Sequence, residues 1–300
     1  MASRFGRPHA SLDLQGTSVP RAGTGAVADR EHGAPWIDRA SLAVVYAVSI
    51  ASLAGFATFS LHPSMLVRAN VSAETYAHML VLAPRLQIVL ALAALVVFLV
   101  RHAATRWMAA FVAVYLVSLG AELAGTTVGL PFGPYHYTDG LGFKLFAHVP
   151  ALIPASWFMM GLPSYAIASR RFANNSLGRI ALGSFILLSW DLALDPAMSF
   201  VTKYWVWSGE GQYYGMPLLN LLGWFVTGVV IMIAFDALRA ARWTRGLPTR
   251  WLVAFYGANL LLPVGMNVGV GLWGAVVATG VALGVAWLIA RASQGREAAA

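Results

Sequence analysis

Apolar runs of about twenty residues recur along most of this chain, and at the helical rise per residue each is long enough to cross a bilayer. Composition agrees, with 59% of residues hydrophobic and only 11% charged. Within lipid the backbone must satisfy its own hydrogen bonds, so the expected fold class is all-α, a polytopic transmembrane helical bundle. Eight spans can be drawn, at 40–60, 79–100, 107–127, 145–168, 179–197, 217–238, 250–268 and 270–290. Between the last two only Asn267, Val268 and Gly269 intervene, and a tight turn and a broken helix both fit. The expected organisation is a disordered cytoplasmic tail at 1–38, a transmembrane domain at 39–291 and a short tail at 292–300. A long polar stretch precedes the first apolar run, so the N-terminal region does not read as a signal peptide.

The net charge of +8 would suggest nucleic acid in a soluble protein. Here the basic residues lie between apolar runs, which excludes that reading and turns them into topology signals. Arg30 and Arg39 precede the first span. Arg101 and Arg106, then Arg170, Arg171 and Arg179, then Arg239, Arg242, Arg245 and Arg250 mark alternate loops, and Arg291 and Arg296 follow the last span. The positive-inside rule places all of these, and both termini, in the cytoplasm. The outward loops at 61–78, 128–144 and 198–216 carry only Arg68, Lys144 and Lys203.

Four acids stand inside or at the ends of the apolar runs: Glu122, Asp191, Asp195 and Asp236. A carboxylate at membrane depth is costly unless it is partnered or used. At about 1.5 Å per residue, Glu122 lies roughly 22 Å above the cytoplasmic entry of its span and Asp191 roughly 18 Å above its own. Asp195 follows one turn higher on the same face as Asp191. Arg85 and Gln87, His148 and Asn220 are expected at the same outer-half layer, contributed by other spans. The set reads better as a shared cavity than as unrelated helix-joining contacts. Asp236, beside Arg239 and Arg242, reads as one half of an interfacial ion pair.

Two outer loops are rich in aromatic, glycine and proline residues: 131–139 with Tyr135, His136 and Tyr137, and 204–217 with Trp205, Trp207, Tyr213 and Tyr214. Such residues form an aromatic belt at the headgroups. They also make rigid turns that cap a cavity and offer ring faces to a flat apolar ligand or a cation. Tyr135, His136, Tyr137, Trp205, Tyr213 and Tyr214, with Trp190, Arg85 and Asn220, are the candidate substrate-binding set. An acid in an apolar site can serve as a general acid while a second, better-solvated carboxylate, here paired with Arg85 or Lys144, handles water.

Without cysteine the chain has no disulfide or thiolate chemistry. Of seven histidines, only His136 and His148 fall near the acid layer, and no histidine-rich di-iron box is present. A mixed Asp/Glu/His metal site stays open. The glycine-rich stretch from Gly265 to Gly274 contains no nucleotide-binding pattern.

The segment from Glu122 to Tyr137, ELAGTTVGLPFGPYHY, resembles a signature of the membrane carotenoid-biosynthesis proteins that include the bacterial and archaeal carotenoid 1,2-hydratases. Leu141-Gly142, Val149-Pro150 with Trp157, the run from Trp190 to Pro196, and Gly211 to Asn220 followed by Gly223-Trp224 resemble it in order. The resemblance implies an integral enzyme adding water across the terminal 1,2 (or 1',2') double bond of a linear carotenoid, giving a tertiary alcohol without a redox cofactor. It implies a lycopene-type, γ-carotene-type or bacterioruberin-precursor substrate entering from the cell membrane. Other carotenoid-pathway enzymes are candidate partners of the tail, although nothing in it specifies one. In this frame Asp191 or Glu122 donates the proton, Asp195 positions or deprotonates water, His148 orients one acid, and Asn220 bonds the water or new hydroxyl. The alternatives are a proton- or cation-coupled transporter using the same acids, and a lipid-binding scaffold in which they only join helices.

Overall fold

The structure, a computed structural model, describes residues 35–292, so the expected tails lie almost wholly outside the described residues. The first helix already includes 35–38. Ten helices follow one another: α1 (Pro35–Gly55), α2 (Ser64–Arg68), α3 (Ala73–Ala103), α4 (Met108–Val128), α5 (Leu152–Arg171), α6 (Ser176–Asp195), α7 (Leu218–Ala237), α8 (Ala241–Thr244), α9 (Thr249–Gly269) and α10 (Trp273–Arg291). Wider π-helical turns extend α1 through Phe56–Ser60 and α6 through Pro196–Val201. Among the described residues seven helices are long and apolar enough to cross a membrane, and the chain is a multi-pass membrane protein. Apolar side chains such as Val97, Val277, Val281 and Leu288 stay exposed on their outer faces, as lipid contact requires.

The remaining long helix, α5, departs from the expected span at 145–168. Its first residues instead form a hairpin of strands β2 (Lys144–Leu145) and β3 (Val149–Pro150). Phe146 and Ala147 both have positive φ, and the His148 amide donates to the Leu145 carbonyl at 3.0 Å, so the corner is a primed hairpin turn. From Ile153 to Ser169 nearly every α5 residue is buried. A helix surrounded by other helices has no lipid to satisfy, so small polar residues such as Ser156, Ser164 and Ser169 are tolerated there. At the other end of the chain, α9 and α10 are separate helices joined by a tight turn at Gly271, whose φ is +79°.

Besides Pro163 in α5, three prolines within or at the end of helices leave carbonyls that side chains close. A proline within a helix has no N–H for the carbonyl four residues earlier. Pro84 in α3 frees the Leu80 carbonyl, which accepts from the Tyr204 hydroxyl at 2.6 Å. Pro263 in α9 frees that of Asn259, which accepts from the Trp190 indole at 3.3 Å. Pro196, at the end of α6, frees that of Leu192, which accepts from the Tyr213 hydroxyl at 2.8 Å. Each break is closed by an aromatic donor.

A second ribbon crosses the outer loops. Strand β1 (Tyr135–Tyr137) pairs antiparallel with β4 (Trp205–Trp207), setting Tyr135 opposite Trp207 and Tyr137 opposite Trp205. The side-chain period of two sends all four of these rings inward and leaves His136 exposed.

Candidate active site

The inward face of the ribbon meets the acids. Glu122, on α4, is 4% exposed and accepts hydrogen bonds from Tyr135 and Tyr137 on Oε2, the latter at 2.8 Å, and from the Trp157 indole of α5 on Oε1 at 2.8 Å. Asp195, at the end of α6, is 2% exposed. Its Oδ1 accepts from Ser199 at 2.6 Å and Trp207 at 3.2 Å, and its Oδ2 from Asn220 at 3.1 Å and Trp205 at 3.4 Å. One strand therefore supplies phenols to Glu122, and its partner supplies indoles to Asp195. The approach is close. A Cβ on Gly125, one turn beyond Glu122, would lie 2.9 Å from the Tyr135 ring and 2.8 Å from Phe132.

Asp191 is wholly buried one turn below Asp195. Asn220 bridges the two, donating to Asp191 Oδ2 at 3.1 Å, while Asp191 Oδ1 has no hydrogen-bond partner among the described residues. Burial first, and the neighbouring Glu122 second, push the Tyr135 and Tyr137 phenols well above the usual tyrosine range. Both therefore stay protonated hydroxyls at physiological pH.

Glu122, Asp195 and Asn220 line one cavity of about 90 Å³, with Tyr135, Tyr137, Trp157, Trp190, Trp205, Trp207 and Trp224 around them. Trp157 and Trp224 stack at 4.0 Å, and Trp190 meets Trp224 edge-on at 6.0 Å. The wall is largely aromatic, with Glu122, Asp195 and Asn220 set among the rings. Gln87 also lines it, and its Oε1 has no partner among the described residues.

Several expected members lie elsewhere. Asp191 stands behind the cavity wall, joined to it through Asn220. His148 occupies the exposed hairpin corner and His136 faces outward, so neither reaches an acid. Arg85 donates to the Gly140 and Asp139 carbonyls at 2.9 and 2.8 Å, tying the outer loop to α3. Lys144 pairs with Asp139 at 2.8 Å. Neither cation neutralises a buried acid, because both are spent on the loop. Tyr213 and Tyr214 form an edge-on pair, with Tyr213 closing the Leu192 carbonyl rather than lining the cavity. Asp236 is in an ion pair, but its partner is Arg179, which contacts both carboxylate oxygens at 2.9 Å, and not Arg239 or Arg242. Among the described residues no three His, Asp or Glu side chains are grouped to hold a metal ion.

Trp157, Trp207, Trp224 and Ser199 also belong to the site, although the sequence alone assigns none of them a role. Ser199 carried a local signal, four residues after Asp195 on a continuing helix. Trp207 carried one in the Trp-Val-Trp alternation. Trp157 and Trp224 stand in the motifs that carry the resemblance but reach the site by tertiary packing, which no local pattern shows.

Comparison with known proteins bears on the whole assembly. The profile of a family described as "Carotenoid biosynthesis protein" matches residues 84–286, well over half of the chain. A bisanhydrobacterioruberin hydratase from Haloarcula japonica is 32% identical over 131 residues, 42% of this chain. That match spans 44% of the hydratase, less than half its length. No solved structure matches the chain.

Proposed function

Because the chain belongs to the carotenoid biosynthesis protein family, we propose that it is a carotenoid hydratase, adding water across the terminal 1,2 double bond of a linear carotenoid end. The observation that carries this reading is the pair Glu122 and Asp195, opening on one aromatic cavity from differently built surroundings. Phenols both donate and accept, so the tyrosines around Glu122 can hold its carboxyl with or without the proton. Three of the four side chains bonded to Asp195, two indoles and an amide, can only donate, and the fourth is the Ser199 hydroxyl, so Asp195 sits among partners that mostly suit a carboxylate. Glu122 is the proposed acid and Asp195 the proposed base.

In the proposed reaction the alkene π pair takes the proton of Glu122 at C2, leaving tertiary-cation character at C1. The ring faces of Trp157, Trp190 and Trp224 stabilise that charge. A water oxygen bonds to C1 and its surplus proton passes to Asp195, giving the tertiary alcohol. Proton exchange through water returns both acids to their starting forms. Asn220 fixes the Asp195 oxygen that meets the water, and Asp191, bonded through Asn220, positions it. Eight crossings with cytoplasmic termini complete the reading, with α5 as the eighth.

Expression in cells that make lycopene or γ-carotene, followed by mass analysis of the pigments, tests it. The expected product is heavier by one or two waters. Unaltered pigment from well-expressed, folded protein would refute the assignment.

A further inference from the structure

A second, almost wholly apolar groove of about 320 Å³ lies between α1 and α3. The two helices are stitched at two levels. Gln87 donates to Ser49 at 2.9 Å, and Ser49 in turn to the Ala258 carbonyl of α9, while Ser60 and Tyr76 bond at the other end. Eleven residues separate the stitches on each helix, which at the helical rise leaves a window about 16 Å tall. Helix α1 buries little: only Val45 and Ser49 and, just beyond it, Phe56 are buried. Ala51 and Gly55 of α1 and Ala83 of α3 line the groove with little bulk, and Met79, Leu82 and Leu86 stand exposed at its rim.

The groove adjoins the acid cavity. Pro84, Met198 and Leu262 line both spaces and form the threshold between them. A threshold containing an unbranched methionine side chain yields easily to a ligand. A long apolar molecule entering sideways from lipid would lie against Ala51, Gly55 and Ala83 and present one end, past Met198, to Glu122 and Asp195.

We propose that this window is the seat of the substrate's polyene chain, a linear isoprenoid polyene inserted laterally with its reacting end across the Pro84–Met198–Leu262 threshold. The assignment deepens the hydratase reading and rests on it for the identity of the occupant. Continuity with the acid cavity, near-absence of polar groups and a window open along its length favour a rod-like polyene over a phospholipid, whose headgroup would find few partners there.

The test fills the groove without touching the acids. A Cβ on Gly55 meets nothing within 4 Å, so Gly55→Phe adds bulk to the groove and not to the core. Ala83→Phe does the same from α3. Lycopene binding to detergent-solubilised protein, read by quenching of tryptophan fluorescence and by co-purification, should weaken about tenfold or more in each variant. Thermal unfolding should stay unchanged. Binding in both variants within about twofold of wild type would overturn the proposal. So would wild-type protein that binds no lycopene, or variants that lose only co-purifying phospholipid. Wild-type protein that binds lycopene, loses it on groove filling and yet adds no water would leave the window standing and end the hydratase reading.

Discussion

Two buried carboxyls with different hydrogen-bond partners are the smallest unit that gives this site direction. Replacing Glu122 by Gln keeps its shape and removes its proton, and Asp195→Asn removes the base while leaving acceptor capacity on one oxygen. Each should lower hydration by about a hundredfold or more, the usual scale for loss of a positioned acid or base. Pigment conversion per unit of folded protein measures it, and near-normal turnover in both variants would remove the acids from the mechanism. Trp157→Phe should behave differently. It leaves Glu122 Oε1 buried without its donor, at a stability cost of about 1–3 kcal/mol, and also thins the aromatic wall. Gly125→Ala is the steric counterpart. The added methyl would enter the space of Phe132 and Tyr135, forcing the phenol from Glu122, so unfolding should come earlier by about 1–3 kcal/mol even though no polar group is lost.

At the scale of the element, the ribbon of β1 and β4 determines which aromatic residues matter. His136→Ala, on the outward face, should leave activity within about twofold, whereas Tyr137→Phe and Trp205→Phe each strip a donor from an acid and should reduce it. Comparing turnover across these single variants checks the alternation directly. The two triplets that build the ribbon, Tyr-His-Tyr and Trp-Val-Trp, were legible as a period of two. Their pairing across about seventy residues of chain was not, because register is a tertiary property. Without that pairing, aromatic-belt chemistry accounts for the same residues equally well. His148 shows the opposite failure. Apolar run length drew a helix from 145, but the hairpin turn at Phe146 and Ala147 holds His148 at an exposed corner, and hydropathy carries no turn geometry. The proline-freed carbonyls of Leu80, Leu192 and Asn259 were equally hidden: a proline announces a missing donor, and only the fold says which ring replaces it. Tyr204→Phe, leaving the Leu80 carbonyl open beside Pro84, should cost about 1–3 kcal/mol in thermal unfolding, while a change no larger than noise would mean that water closes the break as well.

For the whole molecule, charge and cavity fall at opposite ends of the bundle. Asp38 at the start of α1 bonds Arg101 and His102 at the end of α3, and its carbonyl accepts from Trp251 at the start of α9. At helix ends further along the chain, Arg170 reaches the Leu247 carbonyl, Arg171 that of Ile289, and Arg179 the carboxylate of Asp236. Basic residues therefore knit neighbouring helix ends and gather positive charge at one end of the bundle, the asymmetry on which the positive-inside rule rests. The ribbon and the acid pair belong to the other ends of these helices. If the basic end is cytoplasmic, the reacting layer lies in the outer half of the membrane, and the water consumed reaches it from the outer side. The absence of native cysteine makes this directly testable, since any introduced thiol is unique. Thr105→Cys lies in the exposed basic turn between α3 and α4, and Gly209→Cys beyond β4, where an added Cβ meets nothing within 4 Å. A membrane-impermeant maleimide applied to intact cells should label Gly209→Cys and leave Thr105→Cys unreacted until the membrane is permeabilised. The reverse pattern would invert the bundle and place the acids nearer the cytoplasm, so that water would reach them from inside the cell.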